Sequence, residues 1–150
     1  MIIKPEEINL FHIQVNESVI NAVSEKKKQN YAINVGHVLM HNLELERLKI
    51  NMVIELKSET SVEHTDAEIS NAHFNIEFHF QIKNLKNFYT LNEKGSPVFH
   101  GLLIATLLGL SFSTARGIVY ERLRKTTMEG IILPIVSPQK MMSPTRKPKE

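Results

Sequence analysis

Between Phe74 and Ile82 the chain alternates without a break. Phe74, Ile76, Phe78, Phe80 and Ile82 take the even positions, and Asn75, Glu77, His79 and Gln81 stand between them. A period of two with one apolar set predicts a strand that buries one face and wets the other, the habit of an antiparallel sheet covered on one side. Leu48, Ile50, Met52, Ile54 and Leu56 repeat the pattern around Lys49, Asn51, Glu55 and Lys57. Residues 58–66, SETSVEHTD, then join the two runs as a hairpin. Upstream, the apolar residues Ile33, Val35, Leu39, Leu43 and Leu45 stand at odd positions, and the phase turns even near Glu46. A one-residue slip exchanges the faces of a strand, so either a bulge or a chain reversal lies within His41–Arg47. Phe11, Ile13 and Val15 suggest a first strand, and SEKKKQN, residues 24–30, a solvated connection.

After Ile82 the period changes. Ser96 and Pro97 look like an N-cap and first helical residue, predicting a helix from 97 to about 125. Phe112, Ala115, Val119 and Leu123 form an apolar line at three- and four-residue spacing, and the basic residues Arg122, Arg124 and Lys125 suit a helix C-terminus. The row Gly101, Ala105, Gly109, Ser113 and Gly117 is small throughout. Glycine costs about 1 kcal/mol relative to Ala inside a helix, so the row calls for a close contact. Three explanations stand open: the helix lies tight on its own sheet, Gly109 breaks it in two, or the row is an oligomer interface between subunits. Gly130 ends the helical stretch, and Ile131, Ile132, Leu133, Ile135 and Val136 follow, punctuated by Pro134 and Pro138.

Length and composition narrow the class. At 150 residues one domain is expected, here spanning 1–142, with SPTRKPKE at 143–150 as a disordered basic tail. The absence of cysteine excludes disulfide frameworks and thiolate metal sites and fits a reducing, cytoplasmic setting. A net charge of +2 does not by itself point to nucleic acid. Glu6 and Glu7 stand where a secretory signal would be apolar. The greasy run from Gly101 to Phe112 covers only about 18 Å as helix, against a hydrocarbon core of about 30 Å, which favours a buried helix over a membrane span.

Chemistry is sparse. No Walker-type loop, dinucleotide fingerprint or HExxH occurs. His37 and His41 would lie about 13 Å apart along a strand, too far to share an ion. His73 and His79 fall on the polar face, and His100 has no close partner in sequence. Asp66 with Glu68, and Glu44 with Glu46, suit solvated edge charges, and Tyr120 could stack on Arg116 one turn earlier. No metal, cofactor or catalytic residue is assigned, and the expectation is a binding protein rather than an enzyme.

At FSTARGIVYERLRKTTMEGIILPIVSPQ the chain resembles the SecB export-chaperone family. That family carries an aromatic residue, a small polar pair and Ala-Arg on its main helix, then a glycine before an apolar, proline-containing segment and a final helix. The matching positions are Phe112, Ala115, Arg116, Gly130, Leu133, Pro134, Ile135, Val136 and Ser137. The resemblance covers roughly residues 8–142. It implies an α+β fold, a four-stranded antiparallel sheet packed on a long C-terminal helix, and assembly as a homodimer or homotetramer. It also implies ATP-independent binding of unfolded or precursor polypeptides, with contact to the translocase motor ATPase through acidic sheet residues. Ile131, Leu133, Ile135 and Val136 are then candidate polypeptide contacts, or alternatively a buried edge segment. The chain departs from the family in its pI of about 8.8 and in the basic residues Arg146, Lys147 and Lys149; Glu17 is the acid placed near a translocase role. Two other readings remain: an interaction module for one client, such as an antitoxin or secretion partner, and small-molecule binding or catalysis in the sheet–helix crevice.

Overall fold

The computed structural model describes residues 2–22, 30–58 and 70–142. Most of the 24–30 connection, the loop at 59–66, the Asp66–Glu68 pair and the 143–150 tail lie outside the described residues. Four strands form one antiparallel sheet in the order β1-β4-β3-β2: β1 (Ile8–Asn21), β2 (Tyr31–Asn42), β3 (Arg47–Ser58) and β4 (Asn71–Ile82).

The central pair follows from the alternation. Leu48 pairs with Phe80, Ile50 with Phe78, Met52 with Ile76 and Ile54 with Phe74. Even faces even, so one register buries both apolar rows, and all eight side chains are essentially fully buried. The phase change near Glu46 is a reversal. Leu39 pairs with Ile50 and His41 with Leu48, which sets odd residues of β2 against even residues of β3. Residues 43–46 make the turn, with Glu46 in the left-handed region at φ 53°. Glu44 and Glu46 are therefore turn residues rather than strand charges.

Strand β1 corrects the sequence reading. Register shifts at Leu10/His12 and Val15/Glu17 make two bulges, so its inward phase runs Leu10, then Ile13 and Val15, then Ser18 and Ile20, opposite Phe80, Phe78, Ile76, Phe74 and Ala72. Phe11 does not share a face with Ile13. It turns to the outer surface, where the Arg47 guanidinium carbon sits 4.9 Å from its ring centroid and His79 is 6.0 Å away.

The helix start is also corrected. Residues Pro97–Phe99 form β6, paired with β5 (Tyr89–Leu91). Asn92 Oδ1 accepts from the amides of Lys94 and Ser96 at 3.0 and 2.9 Å, and Gly95 at φ 76° completes this turn. Ser96 and Pro97 thus belong to a hairpin, and His100 is the N-cap, its Nδ1 accepting from the Leu102 amide at 3.2 Å.

Helix α1 (Gly101–Leu123) is unbroken at Gly109 and packs across β3 and β4. It stops well before Gly130. The Leu123 carbonyl accepts from both the Thr126 amide and hydroxyl, at 3.0 and 2.8 Å, and buried Met128 anchors the turns that follow. Gly130, at φ 90°, redirects the chain into an extended segment leading to α2 (Pro138–Met142). Twenty-three residues and an apolar composition make α1 long enough to cross a membrane. Leu103, Leu107, Leu108, Phe112, Ala115, Val119 and Leu123 are instead buried against the fold.

His37 stands on the inward row of β2, opposite Met52 and half-buried. Burial lowers its pKa from the ordinary 6.5. The unfolded chain then binds more protons than the folded one over the interval below 6.5, so stability falls as pH drops through that interval. Urea titrations at pH 7.5 and 5.5 should show this loss, and His37→Gln should flatten this part of the pH dependence.

Candidate functional site

The sequence-predicted residues divide between core and surface. Leu133 is buried in the core, and its carbonyl accepts from Arg116 Nε at 2.9 Å. Arg116 thus bonds to the backbone rather than stacking on Tyr120. Ile131 and Val136 are half-buried against the core, while Ile135 is 86% exposed. In the small row, Ala105 is buried, and the intended Cβ positions of Gly101 and Gly109 lie 3.8 Å from Met142 and 3.4 Å from Pro138. The close neighbour at these two glycines is α2 of the same chain. Ser113 and Gly117 are exposed.

The surface that sequence reasoning missed lies one residue over. Leu102, Thr106, Leu110 and Thr114 also recur at steps of four. With Ile2, Ile3, Pro5, Ile8 and Leu10 they line a groove of about 720 Å³. Thr106 and Thr114 give their hydroxyl protons to the carbonyls of Leu102 and Leu110, each at 2.8 Å, so neither hydroxyl proton is left to donate into the groove. Leu102 and Leu110 are each nearly half exposed. The signal was present: Leu102, Ile104, Leu107, Leu108 and Leu110 encircle the helix, and a helix apolar all round is one that gets covered all round. Here one side is left uncovered by the described residues.

Among the described residues, the second unfilled surface is β2. It is an edge strand of 12 residues, YAINVGHVLMHN, with no Lys, Arg, Asp, Glu or Pro and no break in its register. Long edges without charge, proline or bulge are templates for another strand. Its inward residues Ile33, Val35 and Leu39 are only half-buried, and outward Val38 is 61% exposed. The opposite edge, β1, carries two bulges and Glu17.

The outer face of the sheet is polar and internally paired. His73 lies between Glu17 and Glu55, its ring nitrogens 2.9 and 3.3 Å from the two carboxylates, tying β1, β4 and β3 together. Glu77 takes Lys49 Nζ at 3.2 Å and contacts His79 Nε2 at 3.3 Å. Burial pushes the Glu77 carboxyl up, but hydrogen bonds from His79, Lys49 and Asn16 and the Lys49 charge bring it below its ordinary value. Among the described residues no cluster of three His, Asp or Glu is placed to hold a metal ion.

No family model and no curated protein match the sequence. Among solved structures the fold is similar to Mycobacterium tuberculosis Rv1957, a SecB-like chaperone in complex with a ChAD peptide from the Rv1956 HigA1 antitoxin. The TM-score is 0.61 at 12% identity, over 88% of this chain and 91% of that one. A protein of unknown function from Streptococcus agalactiae aligns over 86% of this chain and 98% of its own, at 11% identity and a TM-score of 0.38, too low to bear on the fold. The sheet, its strand count and the long helix laid across it make this a SecB-like α+β fold.

Proposed function

We propose that the chain binds non-native polypeptide without ATP, as a SecB-like holdase. The observation that carries the reading is the unguarded edge of β2. An extended client can add to it as a fifth strand, its backbone bonding along the edge from Ala32 to Met40 and its apolar side chains resting beside Ile33, Val35 and Leu39. The peptide complex of Rv1957 supports a polypeptide ligand over a small molecule. So does the groove along α1, whose threonine hydroxyls are already bonded and do not supply the convergent polar groups that orient a small ligand. That groove is the self-association surface in this reading, with the row at Leu102 and Leu110 meeting a second copy. It takes the place of the small row Gly101, Ala105, Gly109, Ser113 and Gly117 as the main contact.

Placing lysine at Asn34 and Val38 tests the proposal. Both positions are exposed on the outer face of β2, so the fold should persist while strand addition is opposed. Affinity for a chemically unfolded, alkylated probe protein should fall about tenfold, the equivalent of about 1.4 kcal/mol. Fluorescence anisotropy without nucleotide reads it. Undiminished binding by a folded double variant would refute the β2 site, and no binding by the native chain would refute the holdase reading.

A further inference from the structure

Beside the β2–β3 turn the outer face of the sheet holds a hollow of about 300 Å³. Phe11, Met40 and Leu45 line it and are each about half exposed, Arg47 borders it, and Lys49 and His79, also in its lining, are already joined to Glu77. Arg47 is fixed from two directions. Its Nε donates to Gln81 Oε1 at 3.1 Å, and its guanidinium lies over the Phe11 ring. Gln81 is itself held, its amide donating to the Leu45 carbonyl at 2.7 Å. The two terminal nitrogens of Arg47 make no hydrogen bond among the described residues. A tethered, stacked guanidinium with a free fork loses little freedom when it meets a carboxylate and offers two parallel donors. The neighbouring acid does not compete, because Glu77 is engaged by Lys49 and His79.

We propose that this hollow binds an acidic peptide segment, with an Asp or Glu carboxylate on Arg47 and the adjoining apolar side chain against Met40 and Leu45. Charge complementarity selects the carboxylate. The apolar walls select a peptide over an inorganic anion, because a lone phosphate would leave Met40, Leu45 and Phe11 exposed. The single free guanidinium matches one acidic side chain rather than a polyanion. Neither Asn34 nor Val38 lines this hollow, and the peptide discrimination is read on the native chain and on Arg47 variants, so the two proposals fail separately.

The test is an NMR titration of the full chain with two probes, acetyl-Ala-Leu-Glu-Leu-Ala-amide and the same peptide with Gln for Glu. The Glu peptide should shift the Arg47 Nε–H signal and the backbone amides of Met40 and Leu45, and the Gln peptide should bind about tenfold more weakly, as for loss of one charge-assisted hydrogen-bonded pair. Arg47→Met keeps the apolar stem and should make the two peptides equal, while Arg47→Lys, which keeps charge but not the fork, should fall between. Equal binding of both peptides to the native chain overturns the proposal, as does unchanged discrimination in Arg47→Met. Displacement of the Glu peptide by inorganic phosphate at concentrations where acetate has no effect would overturn it in favour of a phosphate ligand.

Discussion

Phe78→Ala should lower the free energy of unfolding by about 3–5 kcal/mol, the range for removing a buried aromatic ring from a packed core. Phe78 is fully buried at the middle of β4, between Ile13 of β1 and Ile50 of β3. A cavity there is enclosed by two strands and the helix layer, so little collapse is available to offset it. Its sequence neighbour makes the contrast. Glu77 is on the opposite face, with its side chain 17% exposed, and loses the Lys49 and His79 contacts when replaced by Ala. Pairs of this kind, partly in solvent, contribute about 1 kcal/mol or less. Urea denaturation of both variants reads the difference, and equal losses would contradict the register. The pH dependence separates them further. The lowered pKa of Glu77 means that its contribution is present above about 4.5 and is lost as pH falls through the folded-state value. Glu77→Ala should remove that part of the acid sensitivity, and Phe78→Ala should retain it.

The β3–β4 pair was legible because its two apolar rows are long, strictly alternating and admit one register that buries both. The phase change near Glu46 was legible as an event but not as a kind, since a bulge and an odd-to-even hairpin leave the same trace. Strand β1 was legible as a strand but not in its facing. Its two bulges reset the face after Leu10 and again after Val15, and a bulge is fixed by pairing with β4 rather than by local composition. The helix start failed for a related reason. Ser96-Pro97 fits a helix N-terminus in isolation, but Asn92 with Gly95 closes a hairpin first, and the amide of His100 is spent on the Phe88 carbonyl. At the candidate site, the small row asks for a close contact, and α2 supplies it at Gly101 and Gly109. The exposed row at Leu102 and the uncharged edge of β2 were in the sequence, but recognising them requires knowing what remains uncovered after folding. A strand reveals its edge position only through its neighbours.

Leu133→Ala should cost about 2–5 kcal/mol, while Ile132→Ser and Ile135→Ser together should leave stability nearly unchanged. The three residues lie in one aliphatic run and differ by direction. Pro134 disfavours a helical conformation at the residue before it and biases Leu133 toward extended backbone. Successive side chains of an extended chain point to opposite sides. Leu133 accordingly enters the core at 1% exposure, and Ile132 is 63% exposed. The Arg116 side chain, 2.9 Å from the Leu133 carbonyl, pins this arrangement to the helix. The run therefore divides its apolar residues: Leu133 is a structural anchor, and Ile132 and Ile135 are free surface. Thermal denaturation measures the first effect. Binding of the unfolded probe protein measures the second, and the folded Ile132→Ser, Ile135→Ser variant should bind it more weakly if this surface extends the client site beyond β2. Unaltered binding would confine the client to the sheet edge, and a loss of stability in the double serine variant matching that of Leu133→Ala would contradict the division of the run.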